Sequence, residues 1–213
     1  MIHIPTVQLK EQCTEEALCH EGELVLHYTS TLPQLHGLSN RPQRRINRYY
    51  QHLEQTFQKA CQTKLLAQSA IAADTAHSSA VPFTAMEVSL TYETTYLDDD
   101  FWSLTWTLCV TCGHSPLLFQ RQGDVWALRT GLPCSLRQFS PGKQKKKQRL
   151  LYQAQKAAAA QNCRGPGRNG RRCSFTICDD ELLCFWPTVL NSKCEEDFFS
   201  FSVPFSAKDH QIC

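Results

Sequence analysis

The stretch from Phe101 to Leu136, FWSLTWTLCVTCGHSPLLFQRQGDVWALRTGLPCSL, constrains the fold most, because it holds the longest alternating run in the chain and three of its four tryptophans. Read with a period of two, Trp102, Leu104, Trp106, Leu108 and Val110 fall on one face, and Ser103, Thr105, Thr107 and Cys109 on the other. That is the pattern of a half-buried strand with an aromatic inner face. Cys112-Gly113-His114-Ser115-Pro116 interrupts it, Leu117 to Gln122 resumes it, and Gly123-Asp124 punctuates it before Val125 to Leu128. The stretch therefore predicts an antiparallel three-stranded meander with its second turn at the QGD tripeptide.

Upstream, residues 1 to 22 show only a short edge strand near Ile4 to Leu9, whereas Leu24 to Thr29 reads as a better strand ended by Pro33 and Gly37. A long helix follows, in which Ile46, Tyr50, Leu53, Phe57, Ala60 or Cys61, and Leu65 recur at spacings of three and four. Asn40 suits its N-cap and Pro42 its first turn. The basic opening RPQRRINR runs against the helix dipole, so it is either a solvated first turn or a patch facing phosphate or an acidic partner. Ala70 to Ser79 reads as a linker or frayed helix end. Phe83 to Tyr96 is again a strand, handed to the Trp-rich one through Asp98-Asp99-Asp100, a solvated hairpin tip lacking the spaced ligands of a calcium loop.

Downstream, Arg129-Thr130-Gly131 turns the chain and Leu132 to Phe139 is short and irregular. Lys143 to Gln161 is rich in strong helix formers, and Arg164 to Arg172 is a basic loop. Cys173 to Cys178, a DDE turn, Leu182 to Pro187 and Phe198 to Phe205 read as a hairpin plus a third strand. The order predicts an α+β fold: an antiparallel sheet with a Trp-rich central meander and two main helices packed on one side. The division is 1–80, N-terminal strand and long helix, and 81–213, C-terminal antiparallel sheet with an inserted helix, read together as one compact unit.

With 213 residues, 42% of them hydrophobic and 20% charged, the chain is long enough for a real core and too apolar for disorder. A net charge of +2 names no partner, which leaves that to local patches. Met1 to Pro5 has no secretory pattern and no window reaches the length of a membrane span, so the expectation is a cytoplasmic protein. In that compartment most of the 12 cysteines would be reduced, buried small hydrophobes, as the strand positions of Cys178 and Cys184 suggest.

The residues offer three chemistries. Cys109, Cys112 and His114 supply two thiolates and an imidazole, three potential zinc ligands, but cysteines three apart on a regular strand face opposite ways. The competing reading is a structural turn in which His114 caps backbone carbonyls. No GxSxG, Walker A loop or HExxH announces an enzyme. The basic stretches Lys143 to Arg149 and Arg164 to Arg172 can contact phosphates, but no aromatic residues are interleaved for stacking, so nucleic acid is the weakest reading.

In order and punctuation the chain resembles a bacterial domain-of-unknown-function family that forms the lysozyme-sensing ectodomain of the anti-sigma-V factor and also occurs beside some peptidoglycan deacetylase domains. The features that carry the resemblance are FWSLTWTLCV, Cys112-Gly113-His114, Thr130-Gly131, Leu132 to Phe139, the strand pair SFTICDDELLCFW and the closing FSVPF. Ile46-Asn47 opening the long helix adds to it, and the similarity spans about Ile4 to Ser206. It implies a non-enzymatic binding or sensing module without a cofactor, with an unidentified protein or glycan partner and relatives that are often extracytoplasmic. Binding would fall to Gly113 and His114 at the turn and to Asn191, Lys193, Glu195 and Glu196 before the last strand. Lysozyme-binding members carry a Pro-Tyr-Ala loop where this chain reads Leu190 to Asp197, which argues against lysozyme as the partner.

Overall fold

The structure, a computed structural model, describes residues 7–113, 115–136, 138–139, 152, 155–156, 174–179, 181–187 and 198–204. The chain divides into two compact units, Met1–Tyr92 with Thr107–Phe119, and Glu93–Trp106 with Gln120–Cys213.

In the first unit, β1 (Gln8–His20) and β2 (Glu23–His36) form a long antiparallel hairpin, with a bulge between Leu18 and Cys19. Its two turn residues, Glu21 at φ 50° and Gly22 at φ 87°, are both left-handed, a backbone that matches the twist of the flanking strands. The short edge strand expected near Ile4 to Leu9 is thus a strand of 13 residues. Alternation missed it because Gln12, Thr14 and Glu16, which share one face of β1, are polar and meet polar groups of the helix.

α1 (Asn40–Ala60), a π-helical turn (Cys61–Leu65) and α2 (Leu66–Ser78) then run as one continuous helix. Ile46, Tyr50, Phe57 and Cys61 are buried, as the spacing predicts. The N-cap is Ser39 rather than Asn40, and no side chain caps the helix. The π turn takes up an extra residue, which keeps the inward stripe in phase as far as Ser69 and Ala73, both 1% exposed. Ala70 to Ser78, expected as a linker or frayed end, is regular helix; its weak signal follows from a stripe of small residues and an Ile71 that is 66% exposed.

β3 (Met86–Leu97) pairs in parallel with β2, from Leu26↔Met86 to Ser30↔Leu90. The long helix is the crossover that a parallel pair requires. The sheet, in the order β1 to β6, is therefore mixed rather than antiparallel throughout. One long helix stands where two main helices were expected; the second, over Lys143 to Gln161, lies largely outside the described residues, as do the basic stretches around it. Beyond the parallel pairing, Asn47 takes the place of a neighbouring strand. Its Oδ1 accepts from Leu35 N–H at 2.8 Å and its Nδ2 donates to Leu35 C=O at 2.9 Å, which fixes α1 against β2.

β4 (Phe101–Cys112) and β5 (Ser115–Ala127) are two long neighbouring strands, and β6 (Leu132–Pro133) pairs antiparallel with the end of β5. The expected turn at Gly123 does not exist: β5 runs straight through it. Glycine is needed there for closeness, since a Cβ would lie 2.4 Å from the carbonyl carbon and oxygen of Phe175. Phe175 lies on β7 (Ser174–Cys178), which with β8 (Glu181–Pro187) and β9 (Phe198–Pro204) makes a three-stranded antiparallel sheet. That matches the expected hairpin plus third strand.

Covering by β7 also changes β4. Trp102, Leu104 and Trp106 are buried as predicted, but so are Phe101, Ser103 and Thr105 on the other face. Burial of hydroxyls is tolerable only when they are bonded. Ser103 Oγ accepts from Ile177 N–H at 2.8 Å and bonds Thr176 Oγ1 at 2.6 Å, while Thr95 bonds Thr176 in turn. Beside this trio, Phe101, Phe139 and Phe175 meet edge to face with centroids 5.2 and 5.6 Å apart. At the acidic tip, Asp98 Oδ1 accepts from the N–H groups of Asp100 and Phe101 at 2.8 and 2.6 Å, so this carboxylate closes the turn.

Candidate functional site

The β4–β5 turn was the leading candidate from sequence. Gly113 supplies its left-handed residue at φ 58°. Cys112 bonds the Thr84 carbonyl through Sγ at 3.4 Å. β4 is regular through Cys112, so parity puts Cys109 and Cys112 on opposite faces of the strand. Both are half-buried free thiols. His114, Asn191, Lys193, Glu195 and Glu196 lie outside the described residues. Among the described residues no group of three or more His, Cys, Asp or Glu is gathered closely enough to hold a metal ion.

A polar seam that the sequence reading missed runs beneath β1 in the first unit. Glu54 of α1 is 4% exposed, and among the described residues no cation pairs with it. Four neutral donors surround its carboxylate instead. Thr14 Oγ1, Ser30 Oγ and Gln58 Nε2 donate to Oε1 at 2.7, 3.2 and 3.5 Å, and Gln12 Nε2 donates to Oε2 at 2.8 Å. At the π turn, Tyr28 donates its hydroxyl to Glu16, and Gln62 Nε2 reaches the same carboxylate oxygen at 2.9 Å. The signal was present, because Glu54 follows Tyr50 by four residues and precedes Phe57 by three, a carboxylate on the buried stripe.

The surroundings of the π turn set the proton affinities of Glu16, Tyr28 and Cys61. The Tyr28 hydroxyl, then the Gln62 amide, hold the Glu16 carboxyl below its usual range. Burial, reinforced by Glu16, pushes the Tyr28 phenol up to about 12. Burial alone is the main cause that pushes the Cys61 thiol up to about 12. A thiol so placed is protonated and a poor nucleophile at neutral pH.

The third feature is the opening of α1, where Asn40, Arg41, Arg44, Arg45 and Arg48 line an open depression of about 240 Å³. Arg41, Arg44 and Arg48 are exposed and Arg45 half-buried. The first turn of α1 carries no acidic residue. Cationic side chains therefore add to the positive end of the helix dipole rather than offset it.

No protein-family model matches the chain, and no curated protein does. Solved structures do. A member of the DUF3298 family from Bacteroides fragilis NCTC 9343 superposes with a TM-score of 0.65 at 10% identity, covering 94% of this chain and 91% of that one. A DUF3298 family protein from Pseudomonas aeruginosa PAO1 gives a TM-score of 0.57 at 8% identity, covering 94% of this chain and 92% of that one. At such identities the likeness is one of fold. The chain thus has the fold of the DUF3298 proteins, the domain-of-unknown-function family of the anti-sigma-V ectodomain that its ordered motifs resemble.

Proposed function

We propose that the chain is a non-enzymatic binding or sensing module that engages a protein or glycan partner. The observation that carries this reading is the mutual commitment of the polar groups that join the helix to the β1–β2 hairpin in the first unit. Glu54 is held by four internal donors, Glu16 is bonded to Tyr28 and Gln62, and the Cys61 thiol is buried and protonated. A general base or nucleophile must reach a substrate atom, and these groups reach one another. The DUF3298-like fold supports the reading at the level of fold. Among the described residues no helix is long and apolar enough to cross a membrane.

The test pairs binding with turnover. The full chain is presented with peptidoglycan fragments, other glycans and a peptide array, and with ester, amide, phosphoester and glycoside substrates. Saturable binding without turnover is expected. Turnover of any of these substrates that is lost in His114→Ala while the circular dichroism spectrum is retained would contradict the proposal.

A further inference from the structure

We propose that the first two turns of α1 are a docking surface for a short acidic polypeptide segment. This rests on the binding-module reading and names the chemistry of the partner. Arg41, Arg44 and Arg48 stand at i, i+3 and i+7, one helix face, with Arg45 beside them, and together with Asn40 they line the open depression of about 240 Å³. Among the described residues Arg41, Arg44 and Arg48 form no ion pair, so their guanidinium groups face solvent uncompensated. Charge complementarity calls for an anionic occupant.

The extent of the patch selects the kind of anion. From Arg41 to Arg48 is about 10 Å along a helix axis. The same exposed face then continues as Gln51, His52 and Gln55, and its next cation, Lys59, stands 11 residues beyond Arg48, about 16 Å further along the axis. A nucleic acid or a long sulfated glycan needs a continuous cationic track, and this one ends after two turns. Three guanidinium groups about one turn apart suit carboxylates at the one-turn spacing of a helix or the tip of an acidic loop. Each guanidinium can take a carboxylate through two parallel N–H···O bonds, and the glutamines beyond can bond the partner backbone.

The experiment uses the full chain and a fluorescein-labelled helical peptide with Glu at i, i+3 and i+7. Its control is the same peptide with Lys at those positions. Fluorescence anisotropy is expected to show binding to the Glu peptide alone, weakening with salt, and at least ~10-fold weaker in the triple variant Arg41→Ser, Arg44→Ser, Arg48→Ser. All three sites are exposed, and an unchanged circular dichroism spectrum certifies that the variant folds. No binding of the Glu peptide at millimolar concentration, or binding indifferent to the triple variant, would overturn the inference. Arginine-dependent binding of a heparin-derived oligosaccharide or an oligonucleotide without the peptide would overturn it in favour of that polyanion. A negative peptide result or binding of the oligosaccharide would leave the binding-module reading standing, since turnover is what bears against it, whereas binding of the oligonucleotide alone would replace its protein or glycan partner as well.

Discussion

Replacing Glu54 with Ala removes the acceptor on which β1, β2 and α1 converge. Its bonds from Thr14 and Gln12, at 2.7 and 2.8 Å, are short, and those from Ser30 and Gln58, at 3.2 and 3.5 Å, are longer. A hydrogen bond to a charged group contributes about 1.5–3 kcal/mol, and an orphaned buried donor such as the Ser30 hydroxyl costs about 1–3 kcal/mol. Against this, deleting a buried carboxylate relieves a desolvation penalty of several kcal/mol. The balance we expect is a loss of roughly 2–4 kcal/mol, dominated by the donors left without a partner. With a urea slope of about 2 kcal/mol per molar, the midpoint falls by roughly 1–2 M. Glu54→Gln keeps one acceptor oxygen and lets the Gln12 amide turn to accept, so its loss should be near 1 kcal/mol. Far-UV circular dichroism at 222 nm follows the helix of the first unit, while Trp102, Trp106, Trp126 and Trp186 all belong to the second. The expected result is a shift in the helix signal with the order Ala well below Gln. A Glu54→Ala chain within about 0.5 kcal/mol of the parent would refute the reasoning, because that is the range of surface substitutions.

Three further outcomes are expected. Gly123→Ala pushes a methyl group into the Phe175 carbonyl and should cost about 1–3 kcal/mol or more, seen as an earlier tryptophan-fluorescence transition; parent-like stability would mean β5 and β7 do not approach as described. Tyr28 and Cys61 hold their protons up to about 12 in the folded chain, against ordinary values of 10 and 9. The unfolded chain loses those protons first, so this stability is full below about pH 9 and is lost as pH rises towards 12. Tyr28→Phe should flatten the upper part of that decline, and an unaltered alkaline profile would count against the seam. Among the described cysteines, exposed Cys13 and Cys19 should react rapidly with a thiol reagent, and buried Cys61 and Cys184 only on unfolding. Rapid labelling of Cys61 in the native chain, located by peptide mapping, would contradict its placement.

Much of the fold was legible because its signals are apolar and periodic. The stripe Ile46, Tyr50, Leu53, Phe57, Ala60 or Cys61, and Leu65 gave α1, although Leu53 and Leu65 are only half-buried; alternation gave β3 and β4, and apolar runs set off by an acidic turn and a spacer gave the β7–β8–β9 sheet. What stayed hidden was hidden for physical reasons. β1 turns polar residues towards a polar helix face, so alternation of apolar residues cannot find it. Gly123 looks like a turn glycine in sequence, but it serves the passage of the Phe175 backbone, a contact 52 residues away. The parallel pairing of β2 with β3 depends on where the long helix returns the chain, which no local pattern records. Of the candidate sites, the Cys109–Cys112 parity followed from strand geometry alone. The arginine face was visible as a charge run, and only its shared depression showed that the side chains gather.

The central claim is that the chain binds a partner through the opening of α1 and keeps its interior chemistry for structure. Amide chemical-shift mapping on the full chain with the Glu-bearing peptide tests it most directly. The account predicts perturbations concentrated on residues 39–52, with Glu16, Tyr28 and Glu54 unmoved. Perturbations centred instead on Gly113 and the β4–β5 turn, or on the Glu16–Tyr28 pair, would contradict it.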